Sequence, residues 1–295
     1  MLALVLLVAI LWGVTYALLR VGMQHAPPLF FAAIRMAGGG SLILIVALVL
    51  RRSWPHGLRT HGLLLVGGVL NYALFYSGLN YGVRSISAGE TAILNYTAPL
   101  WIAVFAHFGL RQPLGPRRIG GLLLGFVGVA LVVGDRLRPG GDPVWSAYLF
   151  VLIGALSWGV GSVFFVRYLT GVALEWAVSL QNLYAVVPLL FAWLAFEGGT
   201  LPEPVAAFWL ALGFSVLLSS FVAQLAFFSL LRRRDAAVVG SYVFLVPIFA
   251  AASGWLLLSE PISLLALVGG LGVVVGIALV NRPALTREQK VGTLV

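Results

Sequence analysis

The chain is a succession of apolar segments about twenty residues long, separated by short groups of arginine, proline and acidic residues. A bilayer core about 30 Å thick requires about 20 apolar residues for one spanning helix, so segments of this length are typical of transmembrane helices. The sequence predicts helices at 2–20, 29–50, 62–82, 88–110, 116–134, 145–169, 174–196, 205–231, 236–258 and 263–280. The predicted fold class is therefore an all-α integral membrane protein with ten transmembrane helices.

Composition and motifs exclude several other classes of protein. Of the 295 residues, 61% are hydrophobic and 9% are charged, whereas soluble domains carry about 25% charged residues. The net charge of +9 does not predict nucleic-acid binding, because the arginines separate apolar runs and form no basic face. Cysteine is absent and the four histidines are scattered without ligand spacing, so no metal site is predicted. There is no phosphate-binding loop, zinc-protease motif or nucleophile elbow, so we expect neither an ATP-driven pump nor an enzyme.

Basic residues are distributed unevenly between the two sides of the predicted membrane. The loops after the second, fourth, sixth and eighth helices, together with the C-terminal tail, hold 13 of the 18 lysine and arginine residues. Cytoplasmic loops retain the excess of basic residues during membrane insertion. Both termini are therefore predicted to be cytoplasmic.

The sequence also repeats internally. The run A-I-L-W-G-V at 9–14 is matched by A-L-S-W-G-V at 155–160. Five further residues recur 148 positions later: Ala88, Pro99, Pro113, Gly121 and Gly128 as Ala236, Pro247, Pro261, Gly269 and Gly276. A unit of five helices ends on the opposite side of the membrane, so two inverted repeats are predicted, at 1–135 and 144–282, followed by a cytoplasmic tail at 283–295. Inverted repeats are typical of secondary transporters, with the substrate site between the halves.

Polar and aromatic residues recur near the middle of the predicted helices, where amides are costly unless they find partners. A central cavity lined by amides and aromatic rings would suit an amino acid, an aromatic metabolite or an organic cation. Hydrogen bonding between helices and an interfacial aromatic belt are the alternative interpretation. The candidate substrate-binding residues are Trp12, Tyr72, Tyr76, Asn95, Tyr96, Trp101, Trp158, Gln181, Tyr184 and Tyr242.

Two further pairs of residues are candidates for the conformational cycle. Pro99 and Pro247 correspond across the repeat and each removes a backbone donor, so they are predicted hinges, with a simple packing kink as the alternative. Arg35 and Glu90 are ionisable residues within a predicted span or at its edge, both toward the outer side. They are predicted to form a gating ion pair at the external mouth; proton coupling through Glu90, or its simple solvation, is the alternative.

These motifs resemble the drug/metabolite transporter superfamily, in particular its EamA-type exporters with ten helices. The resemblance rests on W-G-V at Trp12 and Trp158, Arg35, N-Y-x-x-P ending at Pro99, V-G-S-Y-V-F-L-V-P-I-F at 239–249 and L-S-E-P-I-S at 258–263. Within the superfamily, the chain looks most like the YddG-type amino-acid exporters.

The resemblance implies a bacterial inner-membrane exporter that works by alternating access through a central cavity, and it implies no cofactor. Its expected partners are a small-molecule substrate and membrane lipid, and it is expected to act as a monomer. Amino acids and related metabolites are the expected substrates. Drugs or organic cations, and nucleotide sugars or sugar phosphates, are the alternatives within the carrier class, and a channel-like protein for passive flux is the alternative outside it. Small four-helix multidrug relatives use a glutamate in their first helix to bind cations and protons. The first helix here has no acidic residue, and this departure disfavours exchange of cationic drugs for protons.

Overall fold

The computed structural model describes residues 2–134, 145–227 and 245–281, and within these ranges the secondary structure is helical, with no strand. Numbered in chain order, the helices are α1 (Leu2–Gly22), α2 (Pro28–Val49), α3 (Leu58–Ser85), α4 (Ala88–Leu110), α5 (Pro116–Gly134), α6 (Trp145–Tyr168), α7 (Leu174–Phe196), α8 (Ala206–Phe227), α9 (Val246–Leu258) and α10 (Leu264–Asn281).

The all-helical membrane class predicted from the sequence is confirmed. The six helices α2, α3, α4, α6, α7 and α8 are long and apolar enough to cross a bilayer. Shorter apolar helices lie at Leu6–Gly22, Val246–Leu258 and Leu264–Val280. The first part of the helix predicted at 236–258, and the predicted tail at 283–295, lie outside the described residues.

Helix α4 is broken where the sequence predicts one continuous helix at 88–110. Its first segment, Ala88–Asn95, ends in a turn at Tyr96 and Thr97, and its second segment runs over Ala98–Leu110. Pro99 occupies the first turn of the second segment, a position that needs no backbone donor, and the Thr97 hydroxyl donates to the carbonyl of Leu94 at 2.6 Å. Proline therefore starts a new helical segment here and does not kink a continuous one.

Helices α3 and α8 each contain a π-helical segment. These segments cover Val69–Leu74 in α3 and Phe214–Ala223 in α8. π-helical turns are rare overall, but those that occur are often found at functional sites. They rotate the side chains that follow and interrupt the regular backbone hydrogen bonds of the helix.

Glycines allow the closest helix contacts. A Cβ atom built on Gly128 of α5 would lie 2.4 Å from the carbonyl oxygen of Gly269 in α10, and one on Gly40 of α2 would lie 2.9 Å from Cβ of Asn182 in α7. Only residues without a side chain permit such approach of transmembrane backbones. The two tight helix pairs are therefore α5–α10 and α2–α7; α4 packs against the first pair, and α3 and α8 pack against α2 of the second.

Candidate functional site

The two π-helical segments place polar side chains in the interior of the bundle. Asn71 and Tyr72 of α3, and Ser219 and Ser220 of α8, are all buried. The amide Nε2 of Gln224, which directly follows the α8 segment, donates to the hydroxyl of Tyr72 at 3.4 Å. The two rare helix distortions therefore meet at one polar layer.

Aromatic rings surround this layer. Tyr72 stacks on Tyr76 with ring centroids 6.2 Å apart, and its ring lies edge-on to Trp158 of α6 at 6.1 Å. Phe75 contacts Trp158 at 4.7 Å. Trp12 of α1 donates through its indole Nε1 to the carbonyl of Ser219 at 3.2 Å. Four of the predicted substrate-binding residues, Trp12, Tyr72, Tyr76 and Trp158, are therefore linked by a short series of contacts.

Arg35 of α2 points into the same layer, where its guanidinium contacts neutral groups. Its Nε donates to the hydroxyl of Ser220 and its Nη2 to the hydroxyl of Ser219, each at 3.1 Å. Its Cζ lies 4.5 Å from the ring centroid of Tyr76, which is within the range of a cation–π contact. The charge of Arg35 thus lies at one edge of the aromatic cluster.

Two buried amides lie next to the cluster. Asn71 donates through Nδ2 to the Oε1 of Gln181 in α7 at 3.1 Å, which joins α3 to α7. Asn95 of α4 donates through Nδ2 to the hydroxyl of Tyr16 in α1 at 3.3 Å. Tyr96 is partly buried and packs against the same apolar core as Trp12 and Tyr76. The predicted residues Asn95, Tyr96 and Gln181 therefore border the site.

Two predicted site residues lie elsewhere. Trp101 packs against Phe105 and Phe126, in the contact of α4 with α5, and its Nε1 has no hydrogen-bond partner in the part of the chain that the structure describes. The hydroxyl of Tyr184 lies 2.8 Å from Nδ1 of His61, in the first turns of α3. The predicted role of Trp101 and Tyr184 in substrate binding stays a prediction. Tyr242, also a candidate, lies outside the described residues.

Glu90 makes its described contacts within its own helix end. Its Oε2 accepts from the backbone and the hydroxyl of Ser87, while the Ser87 hydroxyl accepts from the Glu90 backbone N–H, forming a capping box at the start of α4. The predicted gating pair of Glu90 with Arg35, and the alternative of proton coupling, remain predictions. So do the hinges: Pro99 and Pro247 each lie in the first turn of a helical segment.

A polar cluster ties several elements together at the end of the bundle that holds the α3–α4 turn. Arg20 at the end of α1 forms an ion pair with Glu260, which follows α9, with Nε and Oε1 2.6 Å apart. Arg20 also donates to the carbonyls of Val83 and Ile86, and Glu260 accepts from the backbone N–H of Ala88. The α3–α4 turn is therefore tethered to both α1 and the α9–α10 loop.

The sequence analysis did not identify Tyr16, Ser219 and Ser220. A usable signal exists for the serines, since Ser219 and Ser220 follow Asn71 and Tyr72 by 148 residues, the offset of the repeat. Tyr16 carries no such signal. Among the described residues, no group of three or more His, Cys, Asp or Glu side chains is placed to hold a metal ion.

Comparison with known proteins gives one family and several relatives. The model of the EamA-like transporter family matches residues 1–134 and 145–282. The uncharacterized transporter YvbV of Bacillus subtilis (strain 168) is 32% identical over 278 residues, covering 92% of this chain and 88% of that protein. A probable amino-acid metabolite efflux pump of Escherichia coli (strain K12) is 25% identical, covering 93% of this chain and 92% of that protein.

A solved crystal structure also matches. It superimposes with a TM-score of 0.63 over 94% of this chain and 96% of that chain, at 23% identity. At that identity the likeness concerns the fold alone.

Proposed function

The chain belongs to the EamA-like transporter family, and from this membership we propose that it is a secondary transporter exporting neutral amino acids and related small metabolites by alternating access. As a member of this family it is a multi-pass membrane transporter and not an enzyme. The finer placement among YddG-type amino-acid exporters is part of the proposal. It has support from the similar protein described as a probable amino-acid metabolite efflux pump.

The proposed architecture is ten spanning helices in two inverted five-helix repeats, and the helix irregularities support it. Segments Ala98–Leu110 and Val246–Leu258 each start one residue before a proline and each end at a left-handed residue, Arg111 with φ 55° and Ser259 with φ 54°. Arg111 and Ser259 are 148 residues apart, which is the offset of the sequence repeat. Left-handed conformations are uncommon outside glycine, so this coincidence favours a common origin of the two segments.

Close helix contacts recur in the same way. A Cβ atom on Gly13 of α1 would lie 2.4 Å from Cβ of Phe249 in α9, and one on Gly159 of α6 would lie 2.5 Å from Cβ of Trp101 in α4. Gly159 follows Gly13 by 146 residues and Phe249 follows Trp101 by 148. The α1–α9 contact and the α6–α4 contact are therefore counterparts in the proposed repeats. The proposal also places both termini in the cytoplasm and the protein in the bacterial inner membrane.

The observation that carries the proposed function is the convergence of rings and polar groups on the two π-helical segments. Tyr72, Tyr76 and Trp158 are aromatic, Gln224 adds an amide, and Tyr76 and Trp158 are only partly buried. Rings provide apolar area for a side chain, while amides and hydroxyls provide donors and acceptors for an amino acid backbone. A site at the meeting point of broken or distorted helices also matches the general construction of secondary transporters.

Counterflow in proteoliposomes tests the proposal. Vesicles containing the full chain are preloaded with unlabelled phenylalanine, threonine or methionine, and entry of the same labelled amino acid is followed. A carrier gives saturable entry that the preload accelerates, because the loaded carrier reorients faster than its net cycle completes. Entry that is linear in concentration and insensitive to the preload would identify a pore, and flat traces from folded protein would exclude these amino acids as substrates.

A matched pair of tryptophans in α6 serves to locate the site. Trp158→Ala removes a ring of the cluster and should raise the half-saturation concentration about fivefold, in line with the energy of one aromatic contact. Trp145→Ala removes an exposed ring from the first turn of the same helix and should leave transport unchanged. Equal effects of the two substitutions would contradict the placement of the site.

A further inference from the structure

Arg35 is a buried charge that is held by neutral partners. Its side chain is 3% exposed, and its partners are two serine hydroxyls and the ring of Tyr76. Its remaining amino group, Nη1, is buried and has no hydrogen-bond partner among the described residues. A charged group in the apolar interior of a membrane protein is costly unless it is paired. Hydroxyls and a ring orient the guanidinium, but none of these described partners carries a negative charge.

The carboxylates in the described part of the chain are engaged elsewhere. The ion pairs found there join Arg20 to Glu260, His25 to Glu203 and Arg52 to Glu175. Glu197 accepts from Tyr81 and from the backbone of Leu29, and Glu90 belongs to the capping box with Ser87. Within the described ranges, no carboxylate forms an ion pair with Arg35.

The other half of the chain makes the corresponding contact without a charge. Gln181 follows Arg35 by 146 residues and is bonded to Asn71, and Asn71 precedes Ser219 by 148 residues. Arg35 to Ser219 and Gln181 to Asn71 are thus equivalent links, from α2 to α8 and from α7 to α3. Because an amide satisfies the link in one half, joining the helices does not require a guanidinium in the other half.

The surroundings of Arg35 indicate the kind of ligand that its charge could bind. Tyr76 lies over the guanidinium and continues through Tyr72 to Trp158, while Trp12 is held against the same serine, Ser219. The result is a positive charge at one edge of an aromatic surface. A guanidinium binds a carboxylate through two parallel N–H donors on neighbouring nitrogens. Nη1 donates to no described residue, and with the second N–H of Nη2 it forms such a pair.

We propose that Arg35 is the anchor for the carboxylate of the substrate, so that the protein carries small monocarboxylates with an apolar or aromatic body, amino acids included. The proposal rests on the proposed function, since it assigns a substrate class to the same central site. It excludes organic cations that lack an acid group. It also gives Arg35 a role different from the gating pair predicted with Glu90.

The test compares acids with matched derivatives in equilibrium binding to the purified full chain, followed by tryptophan fluorescence. The ligands are phenylalanine, methionine and phenylpyruvate, and phenylalaninamide, in which an amide replaces the carboxylate of phenylalanine. The wild-type protein should bind phenylalanine at least about tenfold more tightly than phenylalaninamide, because a hydrogen-bonded charge is lost. Phenylpyruvate should bind as well, since it retains the carboxylate without the amino group.

Variants at Arg35 identify the group responsible. Arg35→Gln should reduce the ratio of acid to amide affinity to about one. Arg35→Lys keeps the charge but loses the paired N–H donors of the guanidinium, so it should give an intermediate ratio. Arg59→Gln removes an exposed arginine near the start of α3 and should leave the ratio unchanged. If Arg35→Gln does not fold, the ratio in the wild-type protein and in Arg35→Lys decides the matter.

Three results would overturn the proposal: equal affinity of the wild-type protein for acid and amide, a preference for acid that survives in folded Arg35→Gln, or no binding of any of the three acids. The proposed function fails separately. The acids could bind more tightly than the amide, with a preference that depends on Arg35, while counterflow shows no entry of any amino acid. That result would support Arg35 as the carboxylate anchor and would show that the protein is not an amino-acid carrier.

Discussion

At the scale of single residues, the contact of Asn71 with Gln181 is a buried hydrogen bond between two amides in different helices. Both side chains are almost fully buried, and Gln181 is 2% exposed. We predict that Asn71→Ala and Gln181→Ala each lower the free energy of unfolding by about 1 kcal/mol, because each leaves one amide without its partner. The double variant should lose less than the sum of the two.

The double-mutant cycle is measured by thermal unfolding in one detergent, so that all four proteins share a reference state. A coupling energy of about 0.5–1.5 kcal/mol is expected for groups in direct contact. Ser162→Ala, whose hydroxyl bonds only within its own helix, is the control and should not couple to either amide. Strict additivity of the Asn71 and Gln181 effects would show that the bond contributes nothing to the fold.

The depth of a polar or aromatic residue in the membrane can be predicted from the sequence, but the neighbouring helix that its side chain contacts cannot. Trp101 and Trp158 lie at similar depths in their helices, yet Trp158 contacts Tyr72 whereas Trp101 contacts Phe126. The break in α4 separates Trp101 from Asn95, and the π-helical segment in α3 resets the rotation of the residues that follow it. Hydropathy detects neither the break nor the π-helical segment. The candidate residues therefore included side chains that contact the aromatic cluster, such as Trp158, and side chains that contact other helices, such as Trp101.

At the scale of helices, the packing of α5 on α10 depends on backbone contact at Gly128. A Cβ atom there would lie 2.4 Å from the carbonyl oxygen of Gly269 and 2.8 Å from the backbone nitrogen of Val273, and a backbone cannot rotate away as a side chain can. We predict that Gly128→Val destabilises the protein by about 3 kcal/mol, at the upper end of the overpacking range. The measurement is the midpoint of thermal unfolding together with the yield of folded protein.

Gly120→Val, in the same helix, is the matched control. No atom lies within 4 Å of a Cβ atom built at Gly120, so this substitution brings the same loss of glycine and the same branched side chain without the clash. It should change stability by less than about 0.5 kcal/mol. Similar losses at both positions would mean that helix propensity, and not helix contact, determines the effect.

The break in α4 leads to a prediction about transport rate. Pro99 cannot donate to the carbonyl of Asn95, four residues earlier, and its ring would clash with that carbonyl in a continuous helix, so the helix is interrupted at Tyr96 and Thr97. Pro99→Ala allows a continuous α4 and should lower the maximal rate of counterflow severalfold, with little change in half-saturation, if the turn is a hinge.

Pro188→Ala supplies the comparison, since Pro188 lies inside the continuous helix α7. It removes a proline from a helix without closing a break, and transport should remain at the wild-type rate. A normal rate for folded Pro99→Ala would contradict the hinge.

The positions of the helices could largely be predicted from the sequence, because each apolar run must be long enough to cross the bilayer. The break in α4 and the π-helical segments could not be predicted in this way, because they leave the pattern of apolar and polar residues unchanged.

At the scale of the whole molecule, a tether formed by Arg20, Glu260 and the N-terminus of α4 joins three elements at one end of the bundle. In the proposed orientation this is the outer end. We predict that Glu260→Gln shifts the protein toward states that are open to the outside, because it removes the ion pair while retaining a side chain of the same size. The pair is partly exposed, so a population change of only two- to fivefold is expected.

Spin labels can report this opening, because the sequence contains no cysteine and any introduced cysteine is labelled alone. Labels at Ser85→Cys and Ile262→Cys lie on exposed positions on either side of the tether, and the distance distribution between them should gain a longer component in Glu260→Gln. Glu203→Gln disrupts a pair whose carboxylate is 68% exposed and should not alter the distribution. An unchanged distribution in Glu260→Gln would show that the tether does not control opening.

The inverted arrangement itself predicts on which side of the membrane equivalent loops lie. Ser53, between α2 and α3, and Thr200, between α7 and α8, are exposed and are 147 residues apart, so they occupy equivalent places in the two repeats. If five helices separate them, a membrane-impermeant maleimide labels Thr200→Cys in intact spheroplasts and labels Ser53→Cys only after lysis, while the cysteine-free parent is unlabelled. A parallel repeat requires an even number of spans per unit and places both cysteines on one side. Labelling of both from the same side would therefore remove the inverted symmetry, and with it the equivalence of Arg35 and Gln181.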